Sequence, residues 1–240
     1  MPRSEPVGYY ESLDFNSPMT NATADALVAE LADANPQRVL DVGCGWAEFL
    51  LRLLAACPEA VGHGVDHDDI LVARATANAA VRGLADRVTF GAQVGPANPH
   101  DLVVCSGAEH VFGDHADALA ALWEHTAPGG RLLFGTGFWE RTPTDALLSD
   151  FGALPTLSAL VDDVVAAGWR PLGLTTASAR DWDHFEFNFL ADWEQVVMSP
   201  PSPEGADAAR RAADAHRDAY MDRRGVLGFA YLTLGRPPEM

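Results

Sequence analysis

The sequence predicts an α/β protein whose core is a doubly wound, mainly parallel sheet. Three observations predict it. Short β-type apolar runs alternate with segments of helical apolar spacing as far as Gly135. The run ending at Val42 passes through Gly43-Cys44-Gly45 into an amphipathic stretch, giving a strand, a glycine turn and a helix. The 240 residues, 48% of them apolar, support a sizeable core and a single domain spanning 1–240.

The elements follow in order. Leu27, Val28 and Leu31 recur at helical spacing after Thr20 or Asn21 as cap, and Pro36 closes that helix. Arg38 to Val42 is the first strand; Phe49, Leu50, Leu53 and Leu54 mark the helix after the glycine turn. The unit repeats: a strand from Ala60 to Val65, an Asp-capped helix from Asp68 to Val81 closing at Gly83, and a strand from Val88 to Phe90. Asp101 to Cys105 gives a fourth strand, Asp114 to Thr126 a helix, Pro128-Gly129-Gly130 a turn, and Arg131 to Gly135 a fifth strand. Beyond it lie a helix from Thr156 to Ala167, a sixth strand from Trp169 to Thr176, and an aromatic-rich stretch from Arg180 to Met198. Ser199 to Pro203 is irregular, Glu204 to Arg224 reads as a long polar helix, and Val226 to Leu234 as a seventh strand.

Composition narrows function. There are 34 acidic and 16 basic residues, all of the basic ones Arg, for a net charge of −18. That charge repels a phosphate backbone, so no nucleic-acid partner is expected. Without Lys there is no Schiff-base chemistry, no lysine-anchored pyridoxal phosphate and no Walker A loop. No apolar run is long enough to span a bilayer and the N-terminus lacks an apolar leader, so the expectation is a cytoplasmic protein without a membrane partner. Cys44, Cys57 and Cys105 lack CxxC spacing and suit a reducing compartment. His63, Asp66, His67, Asp68 and Asp69 look like a metal cluster, but His63 and Asp66 fall on a strand where alternate side chains face opposite ways, and no metal is expected.

The turn at Asp41-Val42-Gly43-Cys44-Gly45 selects among cofactors. A dinucleotide-binding turn needs a third glycine near position 48, and Glu48 stands there, its charge opposed to a pyrophosphate. An NAD-dependent oxidoreductase is therefore the weaker alternative. With Asp-x-Gly-x-Gly ending the first strand, the sequence resembles the class I S-adenosylmethionine-dependent methyltransferases, and the resemblance covers most of the chain. It implies a Rossmann-like seven-stranded sheet of order 3-2-1-4-5-7-6 with the seventh strand antiparallel. It also implies S-adenosylmethionine as cofactor, with contacts at Asp41, Gly43, Cys44, Gly45, Asp66, His67, Gln93, Ser106 and Gly107. Asp66 would hold the ribose hydroxyls, Gln93 would replace the usual Asp at the adenine amino group, and the Cys44 backbone N–H would face the ligand.

More narrowly, the chain is similar to a subgroup of small bacterial methyltransferases through Phe15-Asn16-Ser17-Pro18, Gly107-Ala108-x-x-Val111-Phe112-Gly113, Gly137-Phe138-Trp139 and Asp181-Trp182-Asp183-x-Phe185-Glu186. Relatives tend to carry Ser-Trp where this chain has Glu109-His110. Those two residues follow the fourth strand, at the carboxyl edge where open α/β sheets place ligands. Methyl transfer is an in-line displacement whose acceptor must be aligned and, if protic, relieved of its proton. His110 is expected as the base and Glu109 as its orienting partner or as a holder of a cationic substrate; a solvent-bonded loop histidine is the competing reading. Segments 1–35 and 180–224 are expected to form a helical cap. Tyr9, Tyr10, Trp139, Trp182 and His184 are expected as substrate contacts. Aromatic faces among carboxylates suit an amine or flat heteroaromatic acceptor at nitrogen or oxygen. The principal alternative is the same fold using the cofactor without methyl transfer, as a cyclase, a decarboxylation helper or a non-catalytic subunit. Oligomeric state is left open.

Overall fold

The computed structural model of the chain describes residues 10–200 and 202–239. Seven strands form one sheet: β1 (Arg38–Val42), β2 (Val61–Val65), β3 (Val88–Gly91), β4 (His100–Ser106), β5 (Thr126–Trp139), β6 (Arg170–Thr176) and β7 (Leu227–Gly235). Their order is β3-β2-β1-β4-β5-β7-β6. The pairs β3–β2, β2–β1, β1–β4 and β4–β5 run parallel, whereas β6 and β7 run antiparallel. Both the order and the reversed last strand are those implied by the family resemblance. All five parallel strands therefore present their carboxyl ends at one edge, where Gly43, Asp66 and Ser106 stand.

Eight helices accompany the sheet among the described residues: α1 (Asn21–Ala32), α2 (Glu48–Ala56), α3 (Asp69–Val81), α4 (His115–His125), α5 (Asp145–Phe151), α6 (Leu157–Ala166), α7 (Ala179–Met198) and α8 (Pro203–Arg223). Side-chain caps start most of them: Asp68 accepts from the Ile70 amide, Asp114 from Ala116 and Asp117, Thr156 from Ala159.

The chain divides into two units. The larger comprises residues 21–138, 155–176 and 229–240, and holds the sheet and its core. There Val103, Leu122, Leu132, Phe134, Leu160 and Trp169 are wholly buried in one cluster. Trp169 stands edge-on to Trp123 at 5.1 Å and donates its indole N–H to the Leu119 carbonyl at 3.3 Å. On the other face Leu50 and Leu54 of α2 lie 3.1 Å from where a Cβ on Gly62 would sit, so a larger residue there would make both leucines give way by a few tenths of an ångström.

The smaller unit comprises 139–154, 177–228 and the described part of the N-terminal segment. Its centre is the antiparallel pair α7 and α8, which packs through charge as well as apolar surface. Glu186, 2% exposed, accepts from His216 Nε2 and Arg223 Nη2, each at 2.7 Å. Asp183 accepts from Tyr220 Oη at 2.6 Å and from Arg224 at 2.7 and 2.9 Å. Of the segments expected as cap, 180–224 and the described residues up to 20 lie in this unit, whereas α1 lies in the larger one and packs on α2.

Two elements differ from expectation. β5 begins at Thr126 and runs 14 residues, straight through Pro128-Gly129-Gly130. Its pairing steps from His100–Thr126 to Leu102–Arg131, so the expected turn is a bulge inside the strand, with Gly129 at φ +81°. The aromatic-rich stretch is the 20-residue helix α7. Ser178 and Asp181 form a capping box at its start, Asp181 accepting from the Ser178 amide at 2.7 Å.

Candidate functional site

The carboxyl end of β1 is built around a buried acid and a glycine turn. Asp41 is 4% exposed; burial, and next the charge of Asp66, push its carboxyl up to about 7. Gly43 sits at φ +73° in contact with Ala108, where any Cβ would overlap the Ala108 side chain. Gly45, at φ +53°, has open space around the place of a Cβ, so glycine there serves conformation and leaves room beside the backbone. The amides of Gly43 and Cys44 both donate to the Val65 carbonyl, at 2.8 and 3.0 Å. The Cys44 N–H expected to face a ligand is thus already used in stitching β1 to β2. Its thiol is raised above the ordinary range by burial and then by the charges of Asp41 and Asp66, which disfavours the thiolate.

Asp66 ends β2 and organises the turn. One carboxylate oxygen accepts from the Gly45 amide at 2.8 Å, the other from the Asp68 amide at 3.0 Å. Its side chain is 10% exposed, while that of His67 is 87% exposed, with Nδ1 at 3.6 Å from Asp66. Gln93 is exposed two residues past β3. Glu48 is 14% exposed and clamps α2 to α3, pairing with Arg52 at 2.8 Å and with Arg82. Its charge is compensated, so the missing third glycine, rather than that carboxylate, weighs against a pyrophosphate.

Past β4, a short turn of 3-10 type covers Glu109–Val111. It separates the two expected chemical partners: His110 is exposed, whereas Glu109 turns inward. Thr136 Oγ1, wholly buried on β5, donates to Glu109 Oε1 at 2.7 Å. His115 Nε2, on the first residue of α4, stands 2.6 Å from the same hydroxyl and 3.8 Å from Glu109 Oε1. The hydroxyl has one proton, given to the carboxylate, so it must accept from His115, whose imidazole carries hydrogen on Nε2. Thr136 and His115 were not among the expected site residues. The readable signal was the Asp114 cap, which starts a helix with His115 in its first turn. Glu109 Oε2 and Ser106 Oγ are buried with no hydrogen-bond partner among the described residues, and Gly107, beside them, takes φ +71°.

The remaining expected residues fall in the smaller unit. Trp139 and Trp182 share one small core with Leu147, Phe151 and Leu227. Tyr10 rests on Phe189 at 5.7 Å. His184 is exposed on α7 beside Asn188, 3.0 Å from Nε2. Tyr9 lies outside the described residues. The carboxylates among these aromatics are paired within the protein: Asp181 caps α7, while Asp183 and Glu186 tie it to α8.

At the opposite edge of the sheet, the amino ends of β1 to β4 border a cleft of about 700 Å³ lined by Arg38, His63, Thr89, Asn98, His100 and His125. The irregular segment 94–98, between β3 and β4, forms part of its wall. Among the described residues no group of three or more His, Cys, Asp or Glu could hold a metal, and no helix is long and apolar enough to cross a membrane.

Residues 40–132 match the family model described as Methyltransferase domain, a span that begins inside β1 and includes the glycine turn, Asp66 and Glu109. Over that span the chain is similar to a methyltransferase domain, in keeping with the resemblance to the class I S-adenosylmethionine-dependent methyltransferases. An uncharacterized protein of Escherichia coli K12, YjhP, is 30% identical over 162 residues, 62% of this chain and 64% of that protein. A trans-aconitate 2-methyltransferase of Methylobacterium nodulans is 33% identical over 158 residues, 66% of this chain and 60% of the relative. The chain thus spans less than two thirds of either curated relative. A solved methyltransferase from Geobacter sulfurreducens in complex with S-adenosyl-L-homocysteine superposes with a TM-score of 0.83 at 24% identity, over 95% of this chain and 96% of that one. At that identity the likeness speaks for the fold.

Proposed function

We propose that this chain transfers the methyl group of S-adenosylmethionine to a nitrogen or oxygen of a small molecule. The observation that carries the reading is Asp66. Its carboxylate is fixed at the tip of β2 by two backbone amides, one of them Gly45 of the glycine turn. A carboxylate offers about four lone pairs, so each Asp66 oxygen keeps capacity for a ribose hydroxyl after accepting one amide. The residues present fit the cofactor: Asp66 for the ribose, Gly43 and Gly45 for close backbone approach, Asp41 for its positive charge, Gln93 for the adenine amino group. Ser106 and Gly107 end the neighbouring strand, where a buried hydroxyl lacks a partner among the described residues.

The cofactor, when bound, supplies a methyl carbon made electrophilic by the adjoining positive sulfur. The chain's own residues have other tasks. Rigid strand ends and the turn hold the two reactants in line, which is the larger part of catalysis in a displacement of this kind. Glu109 and its hydrogen-bonded partners provide a polar, buried group at that edge, while His110 remains the exposed candidate for removing a proton. The relatives named trans-aconitate 2-methyltransferase make small carboxylic acids worth testing beside amines and heteroaromatics. The test is transfer of radiolabelled methyl from S-adenosylmethionine to such a panel. Label is expected in one acceptor class and lost with Asp66→Ala. Cofactor binding with no methylated product from any class would favour the alternative in which the cofactor is used without methyl transfer.

A further inference from the structure

Glu109 has one satisfied oxygen and one that is not. Oε1 accepts from Thr136, itself held by His115. Among the described residues Oε2 is buried without a partner, and so is Ser106 Oγ three residues earlier. A buried polar atom left unpaired costs about 1–3 kcal/mol, more if charged, so a carboxylate kept this way at the carboxyl edge of a parallel sheet points to a missing donor. The side chain is 19% exposed, which places it near the surface of that edge rather than deep in the core. The Cys105 thiol is pushed above its ordinary range by burial and then by the charges of Glu109 and Asp41, so both carboxylates stand beside the end of β4. Ala108, next to Glu109, touches Gly43 of the glycine turn. Two acids gathered there, with no Lys in the whole chain and, among the described residues, no Arg bonded to Glu109 Oε2, call for a cation from outside the protein.

We propose that Glu109 binds an alkylammonium group through Oε2, with Thr136 and His115 as positioning residues that occupy Oε1 and fix the carboxylate. The inference rests on the methyltransferase reading above. The ammonium has two sources, the amino-acid arm of the cofactor or an amine acceptor. A charge-assisted bond of this kind is the strong class of hydrogen bond.

The experiment is calorimetric titration of wild type, Glu109→Gln and Thr136→Val with two probes. S-adenosylhomocysteine carries the ammonium; 5′-methylthioadenosine has the same nucleoside and sulfur without it. If the cofactor is the source, Glu109→Gln lowers affinity for S-adenosylhomocysteine about 10–100-fold and leaves methylthioadenosine unchanged. Thr136→Val then gives a smaller loss with the same selectivity, whereas a merely structural role would weaken both probes together. If an amine acceptor is the source, affinity for S-adenosylhomocysteine holds, and propylamine binds the saturated wild type but not Glu109→Gln. Equal affinity of wild type and Glu109→Gln for both nucleosides and for propylamine overturns the proposal. Wild type that binds neither nucleoside contradicts the methyltransferase reading instead, and propylamine binding to ligand-free protein then decides this one. The unchanged methylthioadenosine affinity also certifies that Glu109→Gln is folded.

Discussion

At the scale of residues, Asp41 and Asp66 divide the labour of the glycine turn in opposite ways. Asp41 is a buried acid whose ordinary value of 3.8 is raised to about 7. Between those values the folded state holds a proton that the unfolded chain has released, so stability falls as pH rises through that window. Asp41→Asn removes this penalty. Melts between pH 4 and pH 8 should show wild type losing stability relative to Asp41→Asn, which should in turn bind S-adenosylhomocysteine more weakly; parallel curves would sink the buried-charge account. Asp66→Ala leaves two backbone amides unsatisfied. We expect about 1–3 kcal/mol lower stability together with weakened cofactor binding. A stability loss with normal affinity would remove Asp66 from the ribose. Both aspartates were legible as a pattern of spacing after β-type runs. What the sequence did not show is which neighbour Glu109 faces. Adjacent residues suggested His110, but a turn of 3-10 type followed by a newly capped helix brings in His115, six positions on, and Thr136 from another strand. Contacts across strands carry no local signal.

Among elements, the α7–α8 pair shows where composition misled. Aromatics interleaved with acids along 180–198 obscure the helical period, and the same acids looked like the wall of a binding pocket. Asp181 caps α7, Asp183 and Glu186 pair with α8, and Asp192 accepts from Ser12. The Asp183 carboxyl is drawn down to about 2 by its hydrogen bonds from Arg224 and then Tyr220. Burial raises Glu186, but the His216 hydrogen bond and the Arg223 charge leave it below its ordinary range. Both therefore contribute stability that is present above the ordinary carboxylate values and lost as pH falls below them. Glu186→Gln leaves Arg223, 12% exposed on its side chain, without its counter-charge. The expected cost is about 3 kcal/mol, read from urea unfolding of the full chain, with the difference from wild type shrinking below about pH 4. A neutral substitution would mean the pair merely accompanies apolar packing. The capping box at Ser178 and Asp181 went unread beside those aromatics, and so did the β5 bulge, because Pro-Gly-Gly reads as a turn unless the pairing on either side is known.

For the whole molecule, the alternating β/α rhythm predicts a mainly parallel sheet, and the resemblance carried by the glycine turn implies the seven-stranded order that the structure shows. The tail of the chain was less legible, since strands β6 and β7 are separated by α7 and α8, whose pairing rests on long-range charges. The net charge of −18 has no bearing on topology but sets a collective repulsion. Raising salt from about 0.01 M to about 1 M shortens the screening length from about 30 to about 3 Å, so the thermal midpoint should rise; a fall would mean that the ion pairs outweigh the repulsion. The central claim is that this fold, glycine turn and acid bind S-adenosylmethionine. It is tested most directly by calorimetric titration with S-adenosylhomocysteine and, separately, with NADH. The account predicts stoichiometric binding of S-adenosylhomocysteine, weakened at least tenfold by Asp66→Ala, and no comparable binding of NADH. Tighter binding of NADH than of S-adenosylhomocysteine would contradict it.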